Sequence, residues 1–281
     1  MFIVDLHQVV FSNFFAAVGK HTNMPIKEDL MRHMILNTLR AINTKFRNQY
    51  GEMIIASDAP NSWRKEYFPF YKAARKKARA KSDIDWKTIF QCVDALKEDI
   101  QQYFPYKFIQ LSGAEADDVI AIVVKIVSQT ERVLIVSGDK DFRQLHTSEN
   151  IVQYDPTQKK WLTESDPAAY LAEHIIKGDE SDGIPNVMDE DNVYVLNTPR
   201  TRMTKNRKLL LEGVGDRKND KYHRNWIRNK TLIDFNMIPK TIEEQIVEAF
   251  NKPTEVQDRS LLIPYFMKHK LPNLIEHVNE F

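Results

Sequence analysis

The sequence has a single cysteine, Cys92, and no run of about 18 uncharged apolar residues. One cysteine excludes a disulfide framework and a zinc site built from several cysteines, and it fits a reducing compartment. The opening MFIVDLHQVV lacks both the basic start and the unbroken apolar run of a secretion signal. We therefore expect a soluble, cytoplasmic protein with no membrane partner.

The sequence also has almost no net charge. Its 40 Lys and Arg residues nearly balance its 39 Asp and Glu residues, so the formal net charge is +1. Without an overall field, any surface for a polyanion must be local. The 8 glycines are too few for a flexible tether, and we find no internal repeat or low-complexity linker. With 281 residues, 42% of them hydrophobic, we expect one large domain or two modest ones packed directly together.

The basic residues concentrate in two segments. Residues 64–81 hold eight cations against Glu66 alone, and residues 200–230 hold eleven against three acids, so the rest of the chain is acidic. Aromatic residues interleave with the cations of the first segment, which favours a surface that stacks on bases and binds phosphates. These aromatics are Trp63, Tyr67, Phe68, Phe70 and Tyr71. The alternative is a solvated surface helix.

Short apolar runs alternate with helical patterns, which predicts an α/β fold with a mainly parallel central sheet flanked by helices. The predicted strands are Phe2–Val4, Met53–Ala56, Phe108–Leu111 and Arg132–Val136, and the helices between them are Ile26–Tyr50, Trp86–Tyr103 and Glu115–Val127. After about Lys160 the patterns become helical. We therefore divide the chain into a core of residues 1–160 and a helical C-terminal domain of residues 161–281.

Carboxylates follow three of these strands, at Asp5, Asp58 and Asp139. Parallel strands end at one edge of a sheet, so these side chains should converge there. Four further acids are expected at the same edge: Glu115, Asp117, Asp118 and Asp141. Each could instead cap a helix or start a turn. Together they favour a site for Mg²⁺ or Mn²⁺, since oxygen ligands suit hard divalent ions.

Five motifs in this order resemble those of the 5′-nuclease superfamily, the flap endonucleases and 5′–3′ exonucleases, and most nearly its phage ribonuclease H branch. They are the strand ending in Asp5; Asp58 with Trp63-Arg64 and Tyr71-Lys72; Glu115-Ala-Asp117-Asp118; Ser137-Gly-Asp139-Lys-Asp141-Phe142; and Gly178-Asp179-Glu-Ser181-Asp182-Gly-Ile-Pro185. The segment 232–239 and the final four residues also look like that branch. The resemblance implies a PIN-like core.

The resemblance implies two Mg²⁺ ions, with Mn²⁺ as a substitute. Asp5, Asp58, Asp117 and Asp139 would hold one, with Glu115 and Asp118 close by. Asp141, Asp179 and Asp182 would hold the other, partly through water. The ions would promote hydrolysis of a phosphodiester to a 5′-phosphate product.

The resemblance also implies that Arg64 and Lys72 contact the scissile phosphate and act in catalysis with Asp139. Tyr71 would stack on the terminal base. Residues 63–85 would form a bridge or arch for a single-stranded 5′ end, binding it through a set of cations: Arg64, Lys72, Arg75, Lys76, Lys77, Arg79 and Lys81.

Residues 176–187 would form the turn of a helix-turn-helix element that grips duplex backbone. Many relatives follow this turn with a glycine-rich hairpin that supports a monovalent cation. Here the chain continues Asn186-Val-Met-Asp189-Glu-Asp191, which argues against a potassium site.

The expected function is removal of RNA primers and 5′ flaps during lagging-strand replication, by a monomer acting on DNA and RNA·DNA duplexes with 5′ ends, forks or flaps. A single-strand-binding protein and a sliding clamp would be its protein partners. Two alternatives stay open: a catalytically silent nucleic-acid-binding factor, and a single-strand ribonuclease with a PIN-like core.

Overall fold

The computed structural model describes residues 1–18, 28–253 and 258–281. Its centre is a six-stranded sheet in the order β3-β2-β1-β4-β5-β6. The strands are β1 (Phe2–Asp5), β2 (Met53–Ala56), β3 (Lys107–Ile109), β4 (Val133–Val136), β5 (Ile151–Asp155) and β6 (Lys160–Leu162). The first five pair in parallel, and β6 runs antiparallel to β5. The predicted mainly parallel sheet is confirmed.

The three inner strands β1, β2 and β4 are buried on both faces, as expected for short apolar runs covered by helices on each side. The sequence analysis missed β5 and β6. β5 reads IVQYD, so the buried polar Gln153 interrupts its apolar run, and β6 is a largely exposed strand of three residues at the sheet edge. Neither has the signal of a buried strand.

Helices occupy most of the remaining described chain. They are α1 (Leu6–Val18), α2 (Glu28–Tyr50), α3 (Trp63–Tyr67), α4 (Ala73–Ala80), α5 (Trp86–Tyr103), α6 (Ala116–Val127), α7 (Pro167–Lys177), α8 (Val193–Leu196), α9 (Lys205–Leu211), α10 (His223–Ile233), α11 (Lys240–Asn251), α12 (Leu262–Lys268) and α13 (Pro272–Ile275). Short 3₁₀ turns cover Lys140–Leu145, Phe235–Met237, Arg259–Leu261 and Val278–Glu280. The first two residues of the helix predicted from Ile26 lie outside the described residues. None of the helices in the described ranges is long and apolar enough to cross a membrane.

Hydrophobic clusters cover both faces of the sheet. Helices α2 and α5 pack on one face together with α12, α13 and the side chain of Phe281. Helices α6 and α11 pack on the other face. The helical C-terminal part is thus confirmed, and it packs directly on the sheet. The division near residue 160 stays a prediction.

A third, smaller cluster fixes the segment between β2 and α5 to the C-terminal part. Phe68 and Tyr71 pack there against Ile175, Ile184 and Leu232. The basic helix α4 extends from this anchor with none of its residues buried. After α7, a bridge between Asp179 and Ile184 closes a tight turn, and the next helix, α8, has only four residues. The helix-turn-helix element therefore stays a prediction.

Candidate active site

Four of the predicted carboxylates lie around one open cleft, of about 600 Å³, at the carboxyl edge of the sheet. Asp5 ends β1, while Asp58 and Asp139 lie in the loops that follow β2 and β4, and Asp117 lies in the first turn of α6. Asp182 also lines the cleft, from the turn after α7. The parallel order of the strands therefore gathers residues that are far apart in sequence.

Crowding of these acids changes their proton affinity. Burial, followed by the charges of Asp58 and Asp139, raises the pKa of Asp5 to about 7. Burial and the charges of Asp139 and Asp5 raise the pKa of Asp117 well above its ordinary value. The pKa of Asp139 is raised as well, chiefly by burial. A bound cation would favour the ionised forms and relieve the repulsion between them.

This crowding predicts a pH dependence of stability. The unfolded chain loses the protons of Asp5, Asp117 and Asp139 near pH 4, whereas the folded chain keeps them to higher pH. The folded state therefore binds more protons between about pH 4 and pH 7, so its stability falls as pH rises through that window. We expect the melting temperature in EDTA to drop by several degrees from pH 5 to pH 8, about 2–4 kcal/mol of stability.

Mg²⁺ should reverse this loss at pH 8 and have little effect at pH 5, because it binds the ionised carboxylates of the folded state. Melting curves at both pH values, with EDTA and with Mg²⁺, measure the effect. A metal-free protein whose melting temperature is flat or rises over this window would contradict the assigned crowding.

A second group of donors lies beside the first and contains a histidine. Among the residues that the structure describes, Asp141, His174 and Asp179 alone bring three donor atoms within 4.8 Å of one another. Asp179 is buried; burial by itself would raise its pKa, but hydrogen bonds from His174, Lys140 and Ser181 lower it. Asp182 turns to Tyr71 Oη at 2.8 Å and Arg75 Nη2 at 2.5 Å.

Glu115 and Asp118 lie behind the cleft, where cations neutralise them. Burial would raise the pKa of Glu115, but Lys72 and Arg64 lower it to about 2. Asp118 is fully buried; its Oδ2 accepts hydrogen bonds from the Glu115 amide at 2.9 Å and from Trp63 Nε1 at 3.1 Å, and its Oδ1 lies 2.8 Å from Arg64. The carboxylate of Asp118 therefore holds the start of α6 and does not line the cleft, and its part in metal binding stays a prediction.

Arg64 and Tyr71 are also held by carboxylates, and their contacts with substrate stay a prediction. The Arg64 guanidinium is buried between Glu115 and Asp118, and its Nε donates to the carbonyl of Leu232 at 2.9 Å. The Tyr71 ring is buried, and its hydroxyl lies 2.8 Å from both Glu115 Oε2 and Asp182 Oδ2, so its single proton is donated to one of these two carboxylates. Both side chains are buried in this structure: Glu115 and Asp118 hold Arg64, and Glu115 and Asp182 hold Tyr71.

The other predicted nucleic-acid ligands are at least partly exposed. Lys72 and Arg75 also line the cleft, where Lys72 Nζ donates to Glu115 at 2.8 Å and Arg75 pairs with Asp182. Lys76, Lys77 and Lys81 are exposed on and just after α4. The Arg79 guanidinium stacks over the aromatic rings of Trp86 and Phe90, at 5.5 and 4.9 Å.

The sequence analysis did not identify two titratable residues of this region, Asp155 and His174. Asp155 ends β5, lines the cleft, and accepts hydrogen bonds from the amides of Thr157 and Gln158. Recognition of β5 as a fifth parallel strand would have placed it at the same edge. His174 carried no signal, because its contact with Asp141 depends on how α7 packs on the turn after β4.

Comparison with known proteins agrees with this architecture. Residues 1–174 match the family model for the 5′-3′ exonuclease N-terminal resolvase-like domain, and residues 167–281 match the model for the T4 RNase H C-terminal region. In an alignment of 293 positions, the chain is 30% identical to the ribonuclease H of Enterobacteria phage T4. The alignment covers 99% of this chain and 95% of that protein. It is 27% identical over 194 residues to the 5′-3′ exonuclease of Buchnera aphidicola, covering 66% of this chain and 64% of that one.

The fold is also similar to that of a solved structure, the bacteriophage T5 D15 flap endonuclease in complex with DNA and metal ions. The TM-score is 0.62 at 18% identity, over 90% of this chain and 94% of that one. This likeness supports the fold, and the family models and the phage T4 relative support the family. The chain belongs to the 5′–3′ exonuclease family, as its order of acidic motifs predicts.

Proposed function

We propose that this family member is a divalent-metal-dependent 5′ nuclease that removes RNA primers and 5′ flaps during lagging-strand DNA replication. It would combine 5′–3′ exonuclease, flap endonuclease and ribonuclease H activities. Its substrates would be DNA and RNA·DNA duplexes with 5′ ends, forks or flaps, which it would cleave as a monomer alongside a single-strand-binding protein and a sliding clamp. One observation carries the proposal: four strand-end and helix-start carboxylates line a single open cleft together with Lys72 and Arg75.

The donor set fits hard divalent cations. Burial and neighbouring carboxylates raise the pKa values of Asp5 and Asp117, so a bound cation would favour their ionised forms at neutral pH. Asp5, Asp58, Asp117 and Asp139 would hold one Mg²⁺ or Mn²⁺, and Asp141, Asp179 and Asp182 would hold the second. Bound ions would supply an activated water and stabilise the charge on the phosphate during hydrolysis of the phosphodiester.

The protein's own cations would position the phosphate against these acids. Burial would lower the pKa of Lys72, but the charges of Asp182 and Glu115 raise it above its ordinary range, so the ammonium stays charged at neutral pH. Arg75 lies at the cleft in an exposed ion pair with Asp182, which a substrate phosphate can replace at little cost. Because phosphate contacts carry no base information, specificity would come from the structure of the substrate.

A polarity assay tests the proposal. A 5′-flap duplex and an RNA·DNA hybrid, each labelled at the 3′ end, are incubated with Mg²⁺ or Mn²⁺, with a free 5′ end and with a 5′ end blocked by biotin and streptavidin. We expect cleavage to 5′-phosphate products, strongly reduced by the block. A protein that binds both substrates without cleaving either would instead be a silent binding factor. Cleavage of single strands regardless of the block would indicate a PIN-like ribonuclease.

The exposed cations of α4 predict a dependence on salt. Replacing Lys76 and Lys77 with alanine removes two phosphate contacts without touching a buried side chain. We expect the slope of log K against log salt for flap-duplex binding to become shallower by about 1.5 to 2. Fluorescence anisotropy between 50 and about 200 mM salt measures it.

Lys240 and Lys268 provide the matched control. Both are exposed and lie outside the residues that line the cleft, on α11 and at the end of α12. The K240A/K268A protein should keep the wild-type slope. Equal slopes for the wild type and both double variants would remove α4 from the proposed substrate surface.

A further inference from the structure

His174 is the one imidazole that lies between two of the proposed metal-binding carboxylates in the described part of the chain. It lies in the last turn of α7 and is 94% buried (6% relative exposure). Its Nε2 lies 3.2 Å from Asp179 Oδ2, a hydrogen-bond distance. Its Nδ1 faces Asp141 Oδ1 at 3.6 Å. The neighbouring Tyr170 ring packs edge-on against the imidazole.

Two buried acceptors therefore face each other without a partner. If Nε2 carries the proton that it donates to Asp179, then Nδ1 presents a lone pair toward the carboxylate oxygen of Asp141. Both atoms, His174 Nδ1 and Asp141 Oδ1, are buried and make no hydrogen bond. Unpaired buried polar atoms are costly, and two facing lone pairs repel. A cation between them removes both penalties.

The spacing fits a metal ion. Ligands that are each about 2.1 Å from one ion, at angles between octahedral and tetrahedral, lie about 3 to 3.5 Å apart. The 3.6 Å between Nδ1 and Oδ1 is close to this range. The hydrogen bond from Nε2 to Asp179 also matches the usual support of a metal-bound histidine, in which a carboxylate fixes the tautomer and the ring orientation.

We propose that His174 Nδ1 is a ligand of the second metal ion, together with Asp141, and that Asp179, hydrogen-bonded to Nε2 on the other side of the ring, orients the imidazole. The proposal rests on the proposed metal-dependent function. A site with one imidazole nitrogen favours Mn²⁺ and similar transition metals over Mg²⁺ more strongly than an all-oxygen site does. Lys140 Nζ, which pairs with Asp179 Oδ2 at 2.8 Å, has a half-exposed side chain and can move into solvent when the ion enters.

Electron spin-echo spectroscopy of the full-length protein loaded with two Mn²⁺ per chain tests the assignment, because it detects a directly bound nitrogen through its ¹⁴N coupling. We expect this coupling in the wild type and its loss in H174Q. His7 also lines the cleft, with its Nδ1 3.6 Å from Asp58 Oδ2, so H7Q is the matched control and should keep the coupling. Titration should show one Mn²⁺ site weakened about tenfold or more in H174Q, with a smaller change for Mg²⁺.

H174D gives a second variant, since it replaces the nitrogen with an oxygen donor. It should keep two bound Mn²⁺ and show no ¹⁴N coupling. Absence of coupling in the wild type, or coupling that persists in H174Q and disappears in H7Q, overturns the proposal. The outcome is separate from the nuclease assay: a nitrogen-bound Mn²⁺ in a protein without cleavage would refute the proposed function only, and cleavage without the coupling would refute the His174 ligand only.

Discussion

Replacing Asp139 with asparagine is expected to lower the single-turnover rate of 5′-flap cleavage by about 10³-fold or more, while binding of the flap duplex is retained. Asp139 lies in the cleft with Asp5 and Asp117, and it contributes to the raised pKa of each. Loss of its charge removes a proposed ligand from the site that would activate water and stabilise the phosphate. Quenched-flow cleavage with Mg²⁺ and anisotropy binding with Ca²⁺ measure the two effects.

The same substitution should leave the local fold intact. Asp139 Oδ1 accepts a hydrogen bond from the Asp141 amide at 2.9 Å, and the carbonyl oxygen of asparagine can accept it equally well. Because one member of a repelling set loses its charge, we expect the metal-free protein to melt higher at pH 8 than the wild type. A damaged fold would instead lower the melting temperature. The direction of the change therefore distinguishes the loss of a metal ligand from damage to the fold.

Asp29→Asn is the control for the charge change. Asp29 is exposed in the first turn of α2, outside the residues that line the cleft. Its variant should cleave at the wild-type rate. If the rate of cleavage by D139N is within about tenfold of the wild-type rate, the carboxylates of the cleft do not form the reaction centre. That result would favour the alternative of a catalytically silent nucleic-acid-binding factor.

The sheet and its acidic edge could be predicted from the sequence because they follow from short-range patterns. A run such as MIIA at 53–56 is too short for a buried helix, and a carboxylate that follows such a run must lie at the end of its strand. The sequence analysis did not predict β5 because the polar residue Gln153 interrupts its apolar run. In the structure this glutamine donates to the backbone carbonyls of Ser137 and Asp139, so it supports the loop that carries the acid.

Side-chain partners within the site could not be predicted in this way. The sequence shows that Arg64 is basic and near an acidic strand end, but it does not show whether the guanidinium faces solvent or carboxylates. That choice depends on contacts more than fifty residues away, with Glu115 and with the carbonyl of Leu232. The partners of His174 could not be predicted for the same reason, since they lie in the turn after β4 and in the turn after its own helix.

Burial of Arg64 gives its guanidinium a structural role in addition to the predicted contact with phosphate. Its guanidinium joins the start of α6, through Glu115 and Asp118, to the end of α10, through Leu232. These elements carry Asp117 into the cleft and hold the segment that contains Lys72. The acidic cleft therefore depends on a cation that does not itself line it.

Arg64→Ala is accordingly expected to destabilise the fold by about 3–5 kcal/mol, because it leaves the buried Asp118 without its cation and Glu115 with Lys72 alone. For a chain of this size, the loss corresponds to a fall of about 10 °C in melting temperature. Lys65→Ala is the matched control, since Lys65 is the exposed next residue of α3, and it should melt within about 1 °C of the wild type. Calorimetry of the two variants in EDTA measures the difference in the absence of metal.

Cleavage by Arg64→Ala at a temperature where it remains folded distinguishes the two roles of this residue. A scaffold role predicts that Mg²⁺ affinity weakens together with cleavage, because α6 and Asp117 shift. A direct contact with the scissile phosphate predicts an unchanged melting temperature, unchanged Mg²⁺ affinity and a slower rate at saturating substrate. The buried ion pairs with Glu115 and Asp118 favour the first result, since a guanidinium held at 2.8 Å from a fully buried carboxylate must lose that partner before it can reach substrate.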